Sequence, residues 1–371
     1  MRCSLAILVY ASLATATVTN SKRAPRSIVV ASVTELGAIR QNSYVKAFSH
    51  SHLYPVLTSN RVLYGGKSYW YFDDTMTADS LFASSSPRRL TLFNARISSQ
   101  SNSAAVTTDL DASNNIDLYA ADWTNTNNTS TRPGVTILLT TDETNFQNAH
   151  NKSTTGCTGS TDAFCNMQFA HWPGAVLADP DRSRILVAYA KLCRGSAGAR
   201  CTSTALGGET LSWGWFAAYP TLGLGARLSP SMGGVTDATG LRDSNAFGGA
   251  GGLAFTTAAV AYAWKANVSA AKGIMAVGAA GSTVFYSAAL GGFYHVYEPF
   301  GSNDVYMQSA AAPEGTWSAS VKLFTSTTAS GQTNYAAFAH PEYTSSDGLT
   351  NYITYYQTGT GQQRLVKVVL S

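Results

Sequence analysis

Two adjacent carboxylates, Asp73 and Asp74, directly follow the aromatic run Tyr69–Phe72. A run of this kind is typical of a buried β-strand, and such a strand does not usually end in paired acids. Two carboxyl groups can do acid–base work together, in which one donates a proton and the other activates water or attacks directly, as hydrolysis of a glycosidic bond requires. Asp74 is the candidate base or nucleophile, and Asp73 is placed to shift its pKa or to cap the turn. An Asx turn at the end of the strand is the alternative for both residues.

The candidate proton donor is Glu298 in the segment HVYEPF. Three aromatic residues precede it: Phe293, Tyr294 and Tyr297. Burial beside apolar rings raises the pKa of a carboxyl group, as a general acid requires. The alternative is a solvated glutamate before a turn-forming proline. Asp243 is a third candidate acid. Arg242 precedes it and several glycines come after it, a composition that is typical of a loop at the mouth of a site. A structural Arg–Asp pair would explain the same pattern.

Substrate-binding candidates lie near aromatic residues. Trp172 could stack on the apolar face of a sugar through its indole ring, and a core position explains it equally well. His171 precedes it, and His295 lies in the same segment as Glu298. A hydrogen-bonded core histidine is the alternative for His295. Asp73 and Arg242 complete the binding set, and no metal ligand set is predicted.

The first 23 residues are typical of an export signal. A basic stub and a short apolar run precede Ala14-Thr15-Ala16, which suits signal cleavage, and Lys22-Arg23 is either a second processing site or a basic linker. No later segment supplies the roughly 20 apolar residues of a membrane-spanning helix. The sequence therefore predicts a secreted, extracellular protein whose single domain covers 24–371.

The cysteines and sequons agree with export. Four cysteines follow the signal: Cys157, Cys165, Cys193 and Cys201. Three pairings are open. The local pairs Cys157–Cys165 and Cys193–Cys201 are favoured, because both close short loops rich in small residues. Four asparagines form sequons for glycosylation: Asn127, Asn128, Asn151 and Asn267.

The composition excludes several function classes. Charged residues make up 12% of the chain and the formal net charge is +4, so no basic stripe favours nucleic acid as a partner. No G-x-S-x-G elbow indicates an esterase, and no glycine loop with a following Lys-Ser/Thr indicates phosphate binding. We expect a monomer whose partner is an extracellular polysaccharide or glycan.

The elements that must position these residues are short strands. Runs rich in β-branched and aromatic residues recur between Gly, Ser, Asn and Asp, and helical periodicity is almost absent. Examples begin at Arg89, Gly134 (GVTILLTT), Ser183, Leu211, Ala258, Phe293 and Thr350. Their spacing of roughly 60–70 residues per unit is close to one propeller blade with long loops, and the chain length then predicts five blades. The predicted fold is an all-β, five-bladed β-propeller with long connecting loops.

Four segments resemble known propeller proteins. The segments, in chain order, are GGKSYWYFDDT, HWPGAVLADPDRSRILVAYAKL, YEPFGSNDVYMQSAAAPEGTWS and YAAFAHPEYTSSDGLTNYITYY. They are similar to the motifs of five-bladed propellers grouped as domain of unknown function 4185, which are distant relatives of the arabinanase and β-xylosidase propellers. The resemblance implies a glycan-directed propeller, and a cation at the propeller centre would be structural rather than required for catalysis.

This chain departs from the family pattern at two segments. The family's Arg-Asp pair before the GGK turn is missing from SHLYPVLTSNRVLYGGK, and the family's R-T-(S/A) is replaced by YMQSA.

The resemblance and the candidate acids together predict a secreted glycoside hydrolase-like propeller that acts on an extracellular glycan, such as one containing arabinofuranose. The alternative is a non-catalytic, lectin-like propeller that binds such a glycan.

Overall fold

The computed structural model describes residues 24–41, 45–46, 60–73, 75–78, 97–100, 102–120, 137–162, 164–194, 209–220, 224–227, 254–258, 261–265, 279–313, 315–328, 331–360 and 362–371. The chain divides into two compact units. The first takes in Met1–His50, Pro55–Gly134 and Ile274–Ser371, and the second Ser51–Tyr54 and Val135–Gly273.

In chain order the strands are β1 (Val30–Ala38), β2 (Arg40–Gln41), β3 (Val45–Lys46), β4 (Asn60–Tyr64), β5 (Lys67–Phe72), β6 (Thr75–Ala78), β7 (Ile97–Gln100), β8 (Ser103–Thr107), β9 (Asp117–Ala120), β10 (Gln168–Asp179), β11 (Arg184–Arg194), β12 (Glu209–Tyr219), β13 (Leu224–Arg227), β14 (Ala254–Ala258), β15 (Ala261–Lys265), β16 (Ala279–Ser287), β17 (Gly292–Pro299), β18 (Asp304–Ala310), β19 (Val321–Thr325), β20 (Tyr335–Ala339), β21 (Thr350–Gln357) and β22 (Gln362–Leu370). Helices α1 (Thr141–Ala149) and α2 (Lys152–Thr155) lie between β9 and β10. Short 3-10 helices span Pro180–Arg182 and Pro341–Tyr343.

The first unit contains two four-stranded antiparallel sheets, ordered β16-β17-β18-β19 and β1-β22-β21-β20. Because β1 pairs with β22 from Val30 opposite Leu370 onward, strands from the two ends of the chain share one sheet. Apolar side chains of both sheets form one core cluster, which includes Tyr294, Val296 and Ile353. Residues 294 and 296 alternate with 295 and 297 along β17, so one face of this strand belongs to the core.

Two further sheets of the first unit are ordered β2-β9-β8-β5-β4 and β3-β6-β7. Strand β5 is the predicted aromatic strand, and Trp70 and Tyr71 within it are completely buried. Trp70 belongs to a second core cluster with Phe72, Ile116 and Leu118. The aromatic run therefore folds as expected, in an interior strand that pairs with β4 on one side and β8 on the other.

The second unit is built on the sheet β10-β11-β12-β13. The turn between β10 and β11 is the 3-10 helix Pro180–Arg182, and Ser183 completes it with a φ of 49°. The apolar residues of β11 that are fully buried include Ile185, Val187 and Tyr189. This alternation places one face of the sheet in a core, as a half-buried strand requires.

The prediction of five blades is wrong. Four sheets have the four or five strands expected of a propeller blade, namely those that contain β5, β11, β17 and β21. The described strands thus give the all-β, propeller-type fold that was predicted, with four blade-sized sheets. The region around Ala258 does form strands, but among the described strands β14 and β15 pair only with each other. Dividing length by spacing overcounted because the chain also forms helices and smaller sheets.

A second expectation fails at GVTILLTT. The described part of this segment contains no strand: Ile137–Thr140 lie outside the helices and strands, and helix α1 begins at Thr141. The reason is a capping box: the Thr140 side chain accepts from the Glu143 backbone N–H, and the Glu143 carboxylate accepts from the Thr140 N–H. The reciprocal hydrogen bonds satisfy two N–H groups at the start of the helix and outweigh the strand propensity of the segment.

Candidate functional site

Glu298 lies near the end of β17 and is 1% exposed. Its Oε1 accepts a hydrogen bond from Ser326 Oγ at 3.3 Å, and Ser326 Oγ accepts in turn from Asn334 Nδ2 at 3.0 Å. Asn334 also donates to the Thr327 carbonyl at 2.9 Å. Within the described part of the chain, Glu298 Oε2 has no hydrogen-bond partner. The site is therefore a buried carboxyl group with one oxygen held and one oxygen available.

Burial raises the pKa of Glu298 to about 8. The hydrogen bond from Ser326 opposes this shift, and the nearby negative charge of Asp304 adds to it. Desolvation disfavours the charged form of a carboxyl group, so Glu298 holds its proton at neutral pH. Of the three rings that the sequence placed beside this acid, Tyr294 shares its face of β17, whereas Phe293 and Tyr297 lie on the other face.

Asp73 follows β5 directly and is completely buried. Strand β5 pairs with β4 on one side and β8 on the other, so Asp73 leaves an interior strand of its sheet. Asp74, the candidate base or nucleophile, lies outside the described residues, as do Asp243 and Arg242.

Two of the motifs that carry the family resemblance meet beside β5. The His340 ring lies 4.6 Å from the Trp70 ring, centroid to centroid. Ser68 Oγ donates to Glu342 Oε1 at 3.2 Å, and His340 Nε2 lies 2.7 Å from Thr354 Oγ1. The strand GGKSYWYF and the segment HPE, 274 positions apart at Ser68 and Glu342, thus form one buried polar cluster.

His295 lies on the face of β17 opposite Glu298. Its ring is stacked on Tyr297 with centroids 4.8 Å apart and an interplanar angle of 13°, and Tyr297 is stacked on Tyr306 at 5.8 Å. Trp317 meets His295 edge-on at 5.9 Å. Gln308 Nε2 lies 3.0 Å from His295 Nδ1. This face is a ladder of aromatic rings with one buried imidazole in it.

In the second unit, Glu143 of α1 is completely buried and contacts two cations. Lys191 Nζ lies 2.9 Å from Glu143 Oε1, and Arg227 donates to both carboxylate oxygens at 2.9 and 2.8 Å. His171 Nε2 lies 2.9 Å from Arg227 Nη2. Because a guanidinium group only donates, the imidazole nitrogen accepts, and the ring is neutral.

The pKa shifts of this cluster agree with that assignment. Burial lowers the pKa of His171 to about 4; the charges of Arg227 and Lys191 lower it too, and the contact with Glu143 opposes them. Burial alone would raise the pKa of Glu143, but His171 and Arg227 outweigh it and hold that pKa well below its usual range. The cluster therefore holds an ionised carboxylate and a neutral histidine over the physiological range.

Trp172, the predicted stacking platform, is 7% exposed in β10. A ring so deeply buried matches the alternative of a core residue. His171, its neighbour in sequence, is tied into the Glu143 cluster. Glu143, Lys191 and Arg227 were not anticipated from the sequence, and the one available signal was the capping-box spacing of Thr140 and Glu143.

The predicted local disulfide Cys157–Cys165 is present, with Cα atoms 5.6 Å apart. Cys201 lies outside the described residues, so its pairing with Cys193 stays a prediction. Of the four sequons, Asn151 is described: its side chain caps α2 by accepting from the Ser153 N–H at 2.8 Å. The others, Asn127, Asn128 and Asn267, lie outside the described residues.

Among the described residues, no group of three or more His, Cys, Asp or Glu side chains has the arrangement of a metal site. In the same residues, no helix is both long and apolar enough to cross a bilayer.

Comparison with known proteins gave matches among solved structures alone. No family model and no curated protein matches the chain. A hydrolase candidate from Bacteroides ovatus is similar at 13% identity and a TM-score of 0.43, with 88% of this chain and 87% of that chain covered. An exo-β-1,3-galactanase from Phanerochaete chrysosporium, solved with β-1,3-galactotriose, gives 11% identity and a TM-score of 0.38 over 92% of this chain and 64% of that chain.

An exo-β-1,3-galactanase from Clostridium thermocellum gives 8% identity and a TM-score of 0.34 over 91% of this chain and 61% of that chain. This chain thus spans less than two thirds of the length of either galactanase. No role for a residue of this chain follows from these similarities.

Proposed function

We propose that this protein is a secreted, propeller-type glycoside hydrolase that acts on an extracellular glycan, with Glu298 as proton donor and Asp74 as base or nucleophile. The observation that carries the proposal is the state of Glu298: a buried carboxyl group with one oxygen bonded to Ser326 and the other without a partner among the described residues. An acid of this kind can protonate the oxygen of a leaving sugar. Its raised pKa keeps the proton on the group at neutral pH.

The second carboxyl group comes from the paired acids after β5. Burial of Asp73 supports a site that excludes water at this point of the chain. In the proposed mechanism Asp74 attacks the anomeric carbon or activates water, while Glu298 donates its proton to the departing oxygen. Asp73 tunes the pKa of Asp74, and Asp243, next to Arg242, is a third acid near the sugar.

Secretion is part of the proposal. The disulfide Cys157–Cys165 supports an oxidising compartment, because such bonds persist mainly in exported proteins. The export-signal pattern of the first 23 residues and the sequons support the same proposal. An arabinofuranose-containing polymer is the proposed substrate class, carried over from the family resemblance. Neutral galactans are a second class to test, since a galactanase is among the similar structures.

The decisive experiment measures reducing ends released from arabinan, arabinogalactan and plant or fungal wall extracts. Glu298→Gln and Asp74→Asn should each lower kcat by roughly 100-fold or more, because general acid–base catalysis typically contributes 10²–10⁴-fold. Asp181→Asn is the matched control, since this aspartate is exposed in the 3-10 helix of the second unit. Hydrolysis that survives both active-site changes would remove the assignment.

One observation favours a second candidate function, glycan binding without catalysis. Glu298 is 1% exposed and its bonded oxygen belongs to a network with Ser326 and Asn334. In that case Glu298 acts as a structural acid, and the aromatic face around His295 does the binding. Glycan binding by the wild type with no release of reducing ends would decide for this candidate.

A further inference from the structure

The face of the β17–β18 pair that carries His295 contains a connected set of hydrogen bonds. Tyr297 Oη and Ser320 Oγ are 2.6 Å apart, and Ser320 Oγ donates to Gln308 Oε1 at 3.5 Å, the limit of a hydrogen bond. Gln308 Nε2 then faces His295 Nδ1 at 3.0 Å. Because the amide oxygen accepts from Ser320, the amide nitrogen donates to the imidazole.

This set of bonds fixes the tautomer of His295. Burial lowers the pKa of His295 to about 4, so the ring is neutral at physiological pH. A neutral imidazole has one donor nitrogen and one acceptor nitrogen. Since Nδ1 accepts from Gln308, the proton lies on Nε2. The site therefore presents an N–H donor, with no charge, next to the Tyr297 ring.

Among the described residues, that donor has no acceptor. His295 is completely buried, and in the part of the chain that the structure describes its Nε2 has no hydrogen-bond partner. Leaving a buried donor unsatisfied costs about 1–3 kcal/mol. Buried donors in proteins are usually hydrogen-bonded, so an unpaired one indicates a partner from outside the chain, such as a ligand or an ordered water.

We propose that His295 Nε2–H is the donor of a ligand subsite for a neutral sugar, bonding to a hydroxyl or ring oxygen of one unit of the glycan. Sugars combine oxygen acceptors with an apolar C–H face, and the half-buried rings of Tyr306 and Trp317 supply the matching surface. A neutral donor favours an uncharged ligand over a carboxylate or phosphate, which would call for Arg or Lys. Because the subsite lies on the opposite face of β17 from Glu298, the unit it binds is not the unit that Glu298 protonates. This inference rests on the proposed function.

The test uses the Glu298→Gln protein, so that the glycan stays intact. Titration calorimetry with neutral arabinan and arabinogalactan oligosaccharides gives the affinity. His295→Phe keeps a ring at this position and removes the donor, and it should weaken binding about tenfold or more. Tyr294→Phe is the matched control, since it removes one hydroxyl from the other face of the same strand and should bind as before.

A spectroscopic measurement on unmutated His295 does not depend on whether the variants fold. In protein labelled with ¹⁵N-histidine, the free state should show Nε2 protonated and Nδ1 unprotonated, and the oligosaccharide should shift the Nε2–H resonance. A proton on Nδ1, or an Nε2–H that responds to water alone, overturns the inference. Equal affinity of wild type and His295→Phe overturns it too and leaves hydrolysis by Glu298 standing. If no oligosaccharide binds or is cleaved, both proposals fail together.

Discussion

His295 and Glu298 are three positions apart on one strand and lie on opposite faces of its sheet. Glu298 shares its face with Tyr294 and Val296 of the core, whereas His295 is stacked on Tyr297. In an extended strand successive side chains alternate between faces, so a spacing of three separates the two groups. In the proposed function, the acid and the imidazole therefore contact different sugar units. Any catalytic role of Glu298 depends on residues from its own face.

The raised pKa of Glu298 makes stability depend on pH. In the unfolded chain the carboxyl group titrates near its ordinary value of 4.5, and in the folded protein near 8. Between these values the folded state holds a proton that the unfolded state releases, so the free energy of unfolding falls as pH rises through this window. Glu298→Gln is neutral at every pH. Between pH 5 and pH 8 we expect the free energy of unfolding of the wild type to fall by a few kcal/mol more than that of the variant.

Urea unfolding at pH 5, 6, 7 and 8 measures this difference. Asp181→Asn serves as the control and should follow the wild type at each pH, because Asp181 is exposed. Parallel curves for wild type and Glu298→Gln would show that Glu298 is ionised in the folded protein and would contradict its role as an acid.

The sequence predicted well what depends on local pattern. Aromatic and β-branched runs became strands β5, β11, β17 and β21, and the rings before Glu298 correctly indicated its burial. The short loop between Cys157 and Cys165 correctly favoured a local disulfide. The alternation of side chains along a strand also places His295 and Glu298 on opposite faces. The sequence prediction assigned both to one site because they lie in the same motif.

The Glu143 cluster could not be found in this way. Its members come from α1, β10, β11 and β13, and the longest separation, from Glu143 to Arg227, is 84 positions. No periodicity links such residues, because they meet only when β10, β11, β12 and β13 assemble into one sheet and α1 packs nearby. The blade count failed for a related reason, because strand pairing decides which segments form a sheet and spacing does not.

The Glu143 cluster gives a strong prediction about stability. Glu143→Gln removes the negative charge that Lys191 and Arg227 both contact, and removal of one partner from a buried ion pair typically costs about 3–5 kcal/mol. Asp142→Asn is the matched control: it changes an exposed carboxylate of the same helical turn and should cost less than about 1 kcal/mol. Denaturant unfolding of both variants at pH 7 measures the difference, and equal losses would contradict a charged, buried Glu143.

The disulfide should stabilise its own loop. Replacing Cys157 and Cys165 by serine should cost about 2–3 kcal/mol from loop-closure entropy, given a sequence separation of 8. Trypsin should then cut near Lys152 faster than in the wild type. The double variant also isolates the other predicted pair: a further loss of stability on adding reductant would indicate that Cys193 and Cys201 are bonded. If the wild type itself is indifferent to reductant, the bond contributes nothing to stability.

The sequon at Asn151 can be separated from its structural role. Asn151 Oδ1 accepts the Ser153 backbone N–H, which leaves the side-chain nitrogen as the point where a glycan would attach. Ser153→Ala destroys the sequon yet keeps that N–H, so secreted protein should lose the mass of one glycan with almost no change in stability. Asn151→Ala removes the glycan and the helix cap together and should cost about 1 kcal/mol more. Intact mass before and after endoglycosidase treatment, with thermal unfolding, distinguishes the two. An unchanged mass in Ser153→Ala would mean that Asn151 serves only as the cap of α2.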